Sequence, residues 1–356
     1  MLLENEKVKA FRSPSYNFNF NKVNGYFERW GKSHNDDPDY SPFGPEILDL
    51  EISTSVKPED INLYDKSRLV IDGGCLGSCD FCYKSNGHYP TYNMNLEEFK
   101  KIFHAMPNTM TQIAFGILNI KSNPDFFAMM EYAKENGVIP NYTCHGYDVS
   151  RKVARKTAEL CGAVAVSVYN KNASYDAIKK FTDAGMKQVN IHYMISEETW
   201  DKAFTIIDDM KSDNRLYNMN AIVFLSLKTK GGGKGFHKLS TTKYDMLVDY
   251  ALEKGVKFGF DSCSAHRFLS SVKNHENYKQ FEMMAEPCES ACFSSYINCK
   301  GEFFACSFAE NNDIFPKGID VLNCNDFIEE VWFNDITKTF RKTLLCKNRN
   351  CPMYEI

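Results

Sequence analysis

The stretch GGCLGSCDFCYKSNG, residues 73–87, holds Cys75, Cys79 and Cys82, spaced by three and then two intervening residues. Thiolates at this density bind zinc or carry iron–sulfur clusters. Structural zinc takes four ligands, commonly as two C-x2-C pairs, yet the next cysteine in the chain is Cys144. Three thiolates on one short loop fit a [4Fe-4S] cluster with one iron left open. Gly73, Gly74 and Gly77 suit such a loop, because residues without a Cβ let it curl tightly and bring backbone amides close to cluster sulfides.

A second concentration of cysteines closes the chain. Residues 285–308 read AEPCESACFSSYINCKGEFFACSF, with Cys288, Cys292, Cys299 and Cys306, and CKNRNC at 346–351 adds Cys346 and Cys351. Lys300 and Gly301 mark the turn of a hairpin whose return strand would bring Cys306 back beside Cys288. Cys144, Cys161, Cys299 and Cys324 stand singly within or beside apolar runs and read as buried thiols.

These clusters must be positioned by the 356 residues as a whole, enough for one large α/β barrel and a small appendage. Hydrophobic residues make up 43% and charged residues 25%, the composition of a folded protein, and the net charge of -4 provides no global field for nucleic acid. The N-terminus mixes acidic and basic residues where a signal peptide would be apolar, and no run reaches membrane-spanning length. A cytoplasmic location follows as the expectation. In that reducing compartment thirteen cysteines, an odd number, read as metal ligands or buried thiols rather than as a disulfide framework.

From residue 68 the chain alternates short apolar runs (RLVIDGG, QIAFGIL, VIPNYTC, AVAVSVYN, QVNIHYMIS, AIVFLSLK) with helical stretches, several ending in glycine. Such alternation specifies a parallel sheet with helical crossovers. Residues 1–45 are polar and aromatic without a sustained period and read as an extended arm; EILDLEIS after them alternates as an accessory or edge strand does. The division expected is an arm and accessory strand over 1–64, a barrel over 65–285 and a cysteine-rich module over 286–356.

C-x3-C-x-Φ-C after a strand, with Phe81 at the aromatic Φ position, resembles the motif of the radical S-adenosylmethionine (SAM) superfamily. The resemblance implies a partial (β/α)6 TIM-like barrel in which Cys75, Cys79 and Cys82 hold three irons and SAM chelates the fourth. It also implies cleavage of SAM to a 5'-deoxyadenosyl radical that abstracts hydrogen from a substrate. In that family a GGE-like segment after the second strand meets the SAM amino group; here the run is FGILN, so Gly116 alone is comparable and the acid is missing. Ser167 on the fourth strand is placed to reach the SAM ribose.

Cys288, Gly301 and Cys306 resemble the C-x9-15-G-x4-C opening of SPASM and Twitch modules, and the spacing of Cys292 and Cys306 is similar to that in the cluster of a GTP-cyclising relative. The resemblance implies one auxiliary [4Fe-4S] cluster on Cys288, Cys292 and Cys306, with Cys351 as the fourth ligand and Cys346 or Cys263 as alternatives. Structural zinc on the same cysteines is the other reading of the module.

KTKGGGKGFHK, residues 228–238, lacks the form of a phosphate-binding P-loop and reads as a flexible loop in which Lys228, Lys230 and Lys234 are solvated. His145, Tyr147, His192, Asp261 and His266 fall near strand ends, and no catalytic role is assigned to them. The resulting expectation is a radical SAM enzyme acting on a peptide or protein, with a flavodoxin or ferredoxin as electron donor and no membrane or nucleic-acid partner. A nucleotide or other small-molecule substrate, and a non-catalytic iron–sulfur or zinc protein, are the alternatives.

Overall fold

The structure is a computed structural model that describes residues 1–77 and 79–356. The chain opens with β1 (Leu2–Glu4), β2 (Val8–Phe11), β3 (Asn17–Asn21) and β4 (Phe27–Trp30), paired antiparallel in that order. Residues expected as an extended arm are thus a folded sheet. The physical reason is the alternation NFNFN in β3, which drives Phe18 and Phe20 into the main core beside Phe11 and Tyr16. Arg29 of β4 ties the sheet to the rest of the chain through Glu46 and Glu289, each 3.1 Å away.

The central sheet starts at β5 (Ile47–Glu51). After it come β6 (Ser53–Ser55), β7 (Leu69–Val70) and β8 (Thr91–Asn93), which form a separate three-stranded sheet in the order β6-β8-β7. The alternation proper then runs α1 (Leu96–Ala105), β9 (Gln112–Gly116), α2 (Phe126–Glu135), β10 (Ile139–Cys144), α3 (Arg151–Leu160), β11 (Ala163–Ser167), α4 (Lys171–Asp183) and β12 (Val189–Ile195). It continues with α5 (Trp200–Ser212), β13 (Ala221–Ser226), α6 (Thr241–Glu253) and β14 (Phe258–Phe260). Two short helices, α7 (Ala265–Ser271) and α8 (Tyr278–Met284), lead to β15 (Ser294–Ile297), β16 (Glu302–Phe304), β17 (Ile319–Asp320) and α9 (Asp335–Cys346).

The ten-stranded sheet has the order β14-β13-β12-β11-β10-β9-β5-β15-β16-β17. Six β/α units from β5 to α6 and a seventh parallel strand realise the partial (β/α)6 arrangement, with one correction. Its first strand is ILDLE at 47–51, not RLVIDGG, which supplies only the two-residue β7 of the small sheet. Val70 and Ile71 are 48% and 78% exposed, so that apolar run is not buried as a barrel strand must be. The C-terminal hairpin β15–β16 joins the same sheet, with β15 parallel to β5.

Helix boundaries follow local chemistry. α1 starts on a reciprocal capping box, in which the Asn95 side chain accepts from the Glu98 amide at 2.9 Å and the Glu98 carboxylate accepts from the Asn95 amide at 3.0 Å. Gly185 ends α4 at φ +96°, a left-handed conformation that favours glycine. Across the sheet, alternate strand residues such as Leu48 and Leu50, or Ile191, Tyr193 and Ile195, pack against the helices. Their neighbours, Asp49 on β5 and Asn190, His192 and Met194 on β12, therefore face the hollow of the barrel. None of the described helices is long and apolar enough to cross a membrane.

Candidate iron–sulfur sites

The first thiol loop lies between β7 and β8, where the chain returns across the C-terminal edge of β5 and β9. Its neck is closed by the Cys75 amide donating to the Gly87 carbonyl at 2.9 Å. Gly74 sits at φ +121°, and a Cβ there would lie 2.9 Å from the backbone of His88, so glycine is required. Asn119, the last residue of FGILN, grips the loop from both sides: it accepts from the Leu76 amide at 2.9 Å and donates to the Gly74 carbonyl at 2.7 Å. His145 holds Asn119 in turn, at 2.9 Å. Burial pushes His145 below the ordinary histidine value, so it stays neutral in this role.

Within the loop, Cys79 and Cys82 are in hydrogen-bond contact, and Cys75 is close enough to act electrostatically on Cys79. The bond from Cys79 pulls Cys82 down to about 6 against the effect of burial, helped by the backbone N–H groups of Asn86, Lys84 and Ser85. Cys79, which gives that bond and is itself buried, is pushed up. A thiolate cradled by three amides is the environment that a cluster ligand requires. Beside it opens a cleft of ≈ 410 Å³ lined by Cys79, Asp80, Cys82, Ser85, Asn86, Gly87, His88 and Tyr89.

The other residues of the motif fall close by. The Phe81 ring packs edge-on between Tyr169 and Phe236, at 5.7 Å from each. Gly116 ends β9 in register with Glu51 of β5, and it is exposed. Ser167 ends β11 and is hydrogen-bonded to the Tyr169 hydroxyl, which also reaches Cys79. Ser167 thus already has a partner in the wall of the loop.

The glycine-rich segment is not a free cradle: of its lysines Lys234 is exposed as expected, but Lys228 and Lys230 are not solvated. The Gly232 amide donates to the Cys82 carbonyl at 2.9 Å, and a Cβ on Gly232 would fall 2.1 Å from the Asp80 oxygen. Lys230 donates to the carbonyls of Glu310 at 2.7 Å and Ser307 at 3.1 Å. Lys228 is buried against Asp261. The glycines let this segment lie flat on the thiol loop, which explains their presence without a phosphate.

Lys84, two residues after Cys82, is the centre of a buried network. It pairs with Glu51 at 3.1 Å and with Glu310, and donates to the Tyr296 hydroxyl at 2.9 Å. Burial opposes its charge, but the two carboxylates overrule this and hold the ammonium well above its ordinary value. Nothing in the spacing of these residues announced the network, since its members come from β5, the loop, β15 and the segment after Cys306.

The second thiol group differs in membership from the expectation. Cys263, just after β14, is in hydrogen-bond contact with Cys288; Cys306 feels Cys263 and Cys351; and Cys351 feels Cys263. Ser290 links two of them, accepting from the Cys288 thiol at 3.2 Å and bonding Cys306. Cys292 lies elsewhere: it is wholly buried, and the charged groups acting on it are Arg341, Arg349, Arg29 and Asp39. The tight turn in which the Cys292 amide donates to the Glu289 carbonyl at 2.9 Å rotates it into the core. Cys346 is exposed. The structure therefore gathers Cys263, Cys288, Cys306 and Cys351, and Cys292 is set apart from them.

Among the described residues no three His, Cys, Asp or Glu side chains stand at the close spacing that holds a single metal ion. A four-iron cluster carries each thiolate on a different iron and so needs a wider set. Two groups of neighbouring thiols, one on an amide-lined loop and one with four members, fit that donor chemistry better than zinc.

A scan against protein-family models finds no match, and no curated protein matches in sequence. The fold, however, has clear counterparts among solved structures. Streptococcus suis SuiB bound to its precursor peptide SuiA superposes with a TM-score of 0.69 over 96% of this chain and 90% of that one, at 11% identity. SuiB bound to S-adenosylmethionine gives a TM-score of 0.67 at the same identity. Native anSMEcpe with bound AdoMet and the Cp18Cys peptide gives a TM-score of 0.57 over 84% of this chain and 83% of that one, at 12% identity.

Proposed function

We propose that the chain is a radical SAM enzyme whose substrate is a peptide, taking as premise that its fold is shared by SuiB and anSMEcpe, structures that hold S-adenosylmethionine and a peptide. The observation that carries the reading is the amide-lined loop of Cys75, Cys79 and Cys82, held by Asn119 at the edge of β9. A [4Fe-4S] cluster on those thiolates would supply the electron that cleaves SAM to a 5'-deoxyadenosyl radical.

The chain's own residues bind and orient. Asn119 and the segment at Gly232 fix the loop from opposite sides; Phe81, Tyr169 and Phe236 form an apolar wall that excludes water. Gly116, lacking a side chain at the edge of β9, leaves room beside Glu51 for the cofactor. Cys263, Cys288, Cys306 and Cys351 would hold the auxiliary [4Fe-4S] cluster with all four positions filled, which suits it to electron transfer. A low-potential donor such as flavodoxin or ferredoxin would feed the first site.

The test is anaerobic reconstitution. About eight irons per chain are expected for two four-iron clusters. 5'-Deoxyadenosine should form on adding SAM and dithionite, and this product should vanish in the C75A/C79A/C82A variant. Zinc in place of iron, or SAM left uncleaved, would refute the reading.

A further inference from the structure

Lys228 follows β13 and is only 6% exposed. It forms an ion pair with Asp261 and lies 5.1 Å from the ring centroid of Phe308, two residues beyond Cys306. Asp261 is itself fixed from three directions: it accepts from the Ser226 amide at 3.2 Å and from the Ser264 hydroxyl at 2.5 Å, and its own amide donates to the Phe224 carbonyl at 3.2 Å. Ser226 and Ser264 lock together at 2.6 Å. A buried lysine held this firmly is not a substrate-searching side chain.

The ion pair is placed beside the four-thiol group through its neighbours: Asp261 lies two residues before Cys263, and Phe308, under the ammonium, two residues after Cys306. Cys263 feels both members of the pair, with Lys228 the stronger, and of the two only Lys228 is among the charges acting on Cys351. His192, which faces the barrel hollow and feels Asp261, is held neutral by burial, down to about 4, and adds no competing charge.

We propose that Lys228 is a positioning residue for the four-thiol site, a fixed buried cation that raises the reduction potential of a cluster held by Cys263, Cys288, Cys306 and Cys351. The inference rests on the auxiliary-cluster reading given under Proposed function. Reduction adds one negative charge to a cluster already carrying four thiolates, so a cation fixed beside two of them favours the reduced state. Removing the cation lowers the potential, and removing the carboxylate that partly offsets its charge raises the potential.

The experiment uses the full chain reconstituted in a C75A/C79A/C82A background, so that the auxiliary site alone gives the signal. That background should hold about four irons, read by metal and sulfide analysis, and a redox titration followed by electron paramagnetic resonance gives the midpoint. Lys228→Met is expected to keep the iron and shift the reduction equilibrium about tenfold toward the oxidised form, ~59 mV for a one-electron couple. Lys228→Arg should restore most of the shift, and Asp261→Asn should move the midpoint upward. A Lys228→Met protein that loads iron and titrates at the wild-type potential overturns the proposal. Should that variant fail to load, an Asp261→Asn midpoint at or below the wild-type value overturns it instead. A background that takes up no iron defeats the auxiliary-cluster reading itself, and is distinguishable from either result.

Discussion

Substitution of Lys84 by Met should be among the most destabilising single changes in this chain. The ammonium is buried with Glu51 at 3.1 Å and Glu310 in direct contact, the two carboxylates being 8% and 13% exposed. Replacing it leaves two buried carboxylates without their cation, and breaking a buried pair by removing one partner costs about 3–5 kcal/mol. For a chain of this size that corresponds to a fall in melting temperature of about 4–7 °C. The assay is urea unfolding of the reduced apoprotein at pH 7.5, followed by tryptophan fluorescence. The K84M/E51Q/E310Q variant removes both orphaned charges and should recover at least half of the loss. The pH dependence carries an independent sign. Burial pushes Glu310 up, but the Lys84 charge, its hydrogen bond and Asn298 hold it below its ordinary value of 4.5. A depressed carboxylate stabilises the fold above its unfolded value and loses that contribution as pH falls through the folded one. Glu310's share of the advantage over the triple variant should therefore fade below pH 4.5. A K84M protein within about 1 kcal/mol of wild type, the usual scale of an exposed pair, would refute the reasoning, as would a triple variant no more stable than the single one.

Further outcomes follow from the same geometry. Cys263→Ala should lower iron content after reconstitution, whereas Cys292→Ala should leave all of the roughly eight irons expected of two clusters in place; metal analysis of the two variants separates the set seen here from one read off spacing. Gly232→Ala should impair loading of the first site, because the added methyl would fall 2.1 Å from the Asp80 oxygen and push the segment off the thiol loop; the 5'-deoxyadenosine yield reads this. Asp49 is solvent-accessible yet enclosed by the barrel, and burial, then Glu289, raises it to about 6 from 3.8. A carboxyl raised on folding weakens stability as pH rises from its unfolded toward its folded value. Asp49→Asn should thus flatten the denaturation midpoint between pH 4 and 6, measured by urea titration at successive pH values.

The three-cysteine motif and the β/α alternation were legible because both are local: a loop closes over a dozen residues, and a helix buries a stripe set by its own period. What misled was the hollow of the barrel. EILDLEIS alternates like an edge strand because one of its faces meets helices through Leu48 and Leu50 while the other puts Asp49 toward a polar lumen. Strict alternation marks a half-solvated strand wherever the solvent is, inside or out. RLVI, by contrast, has a strand's composition, but the small sheet leaves Val70 and Ile71 in water. Membership of the second thiol group was not legible in spacing either. Cys288 and Cys292 have three residues between them in the manner of a ligand pair, and one tight turn sends the second into the core beneath Arg341. Its replacement, Cys263, comes from the far edge of the sheet, at β14.

That origin gives the fold its functional logic. β14 and β15 occupy different parts of the sheet order, on opposite sides of the six strands from β13 to β5, and Cys263 and Cys288 precede or follow them closely. A site built from both must draw the two flanks together, so a cluster bound there would brace the barrel as well as carry electrons. The segment 228–235 makes the brace continuous with the first site. Lys228 pairs with Asp261, two residues before Cys263, Lys230 holds the carbonyls after Cys306, and Gly232 lies on the carbonyl of Cys82. Lys84 completes the link from the other direction, running from the thiol loop to Glu51 of the barrel and Glu310 of the C-terminal region. The segment 228–235 and Lys84 thus join the surroundings of the two thiol groups through buried charge and backbone rather than through a shared ligand.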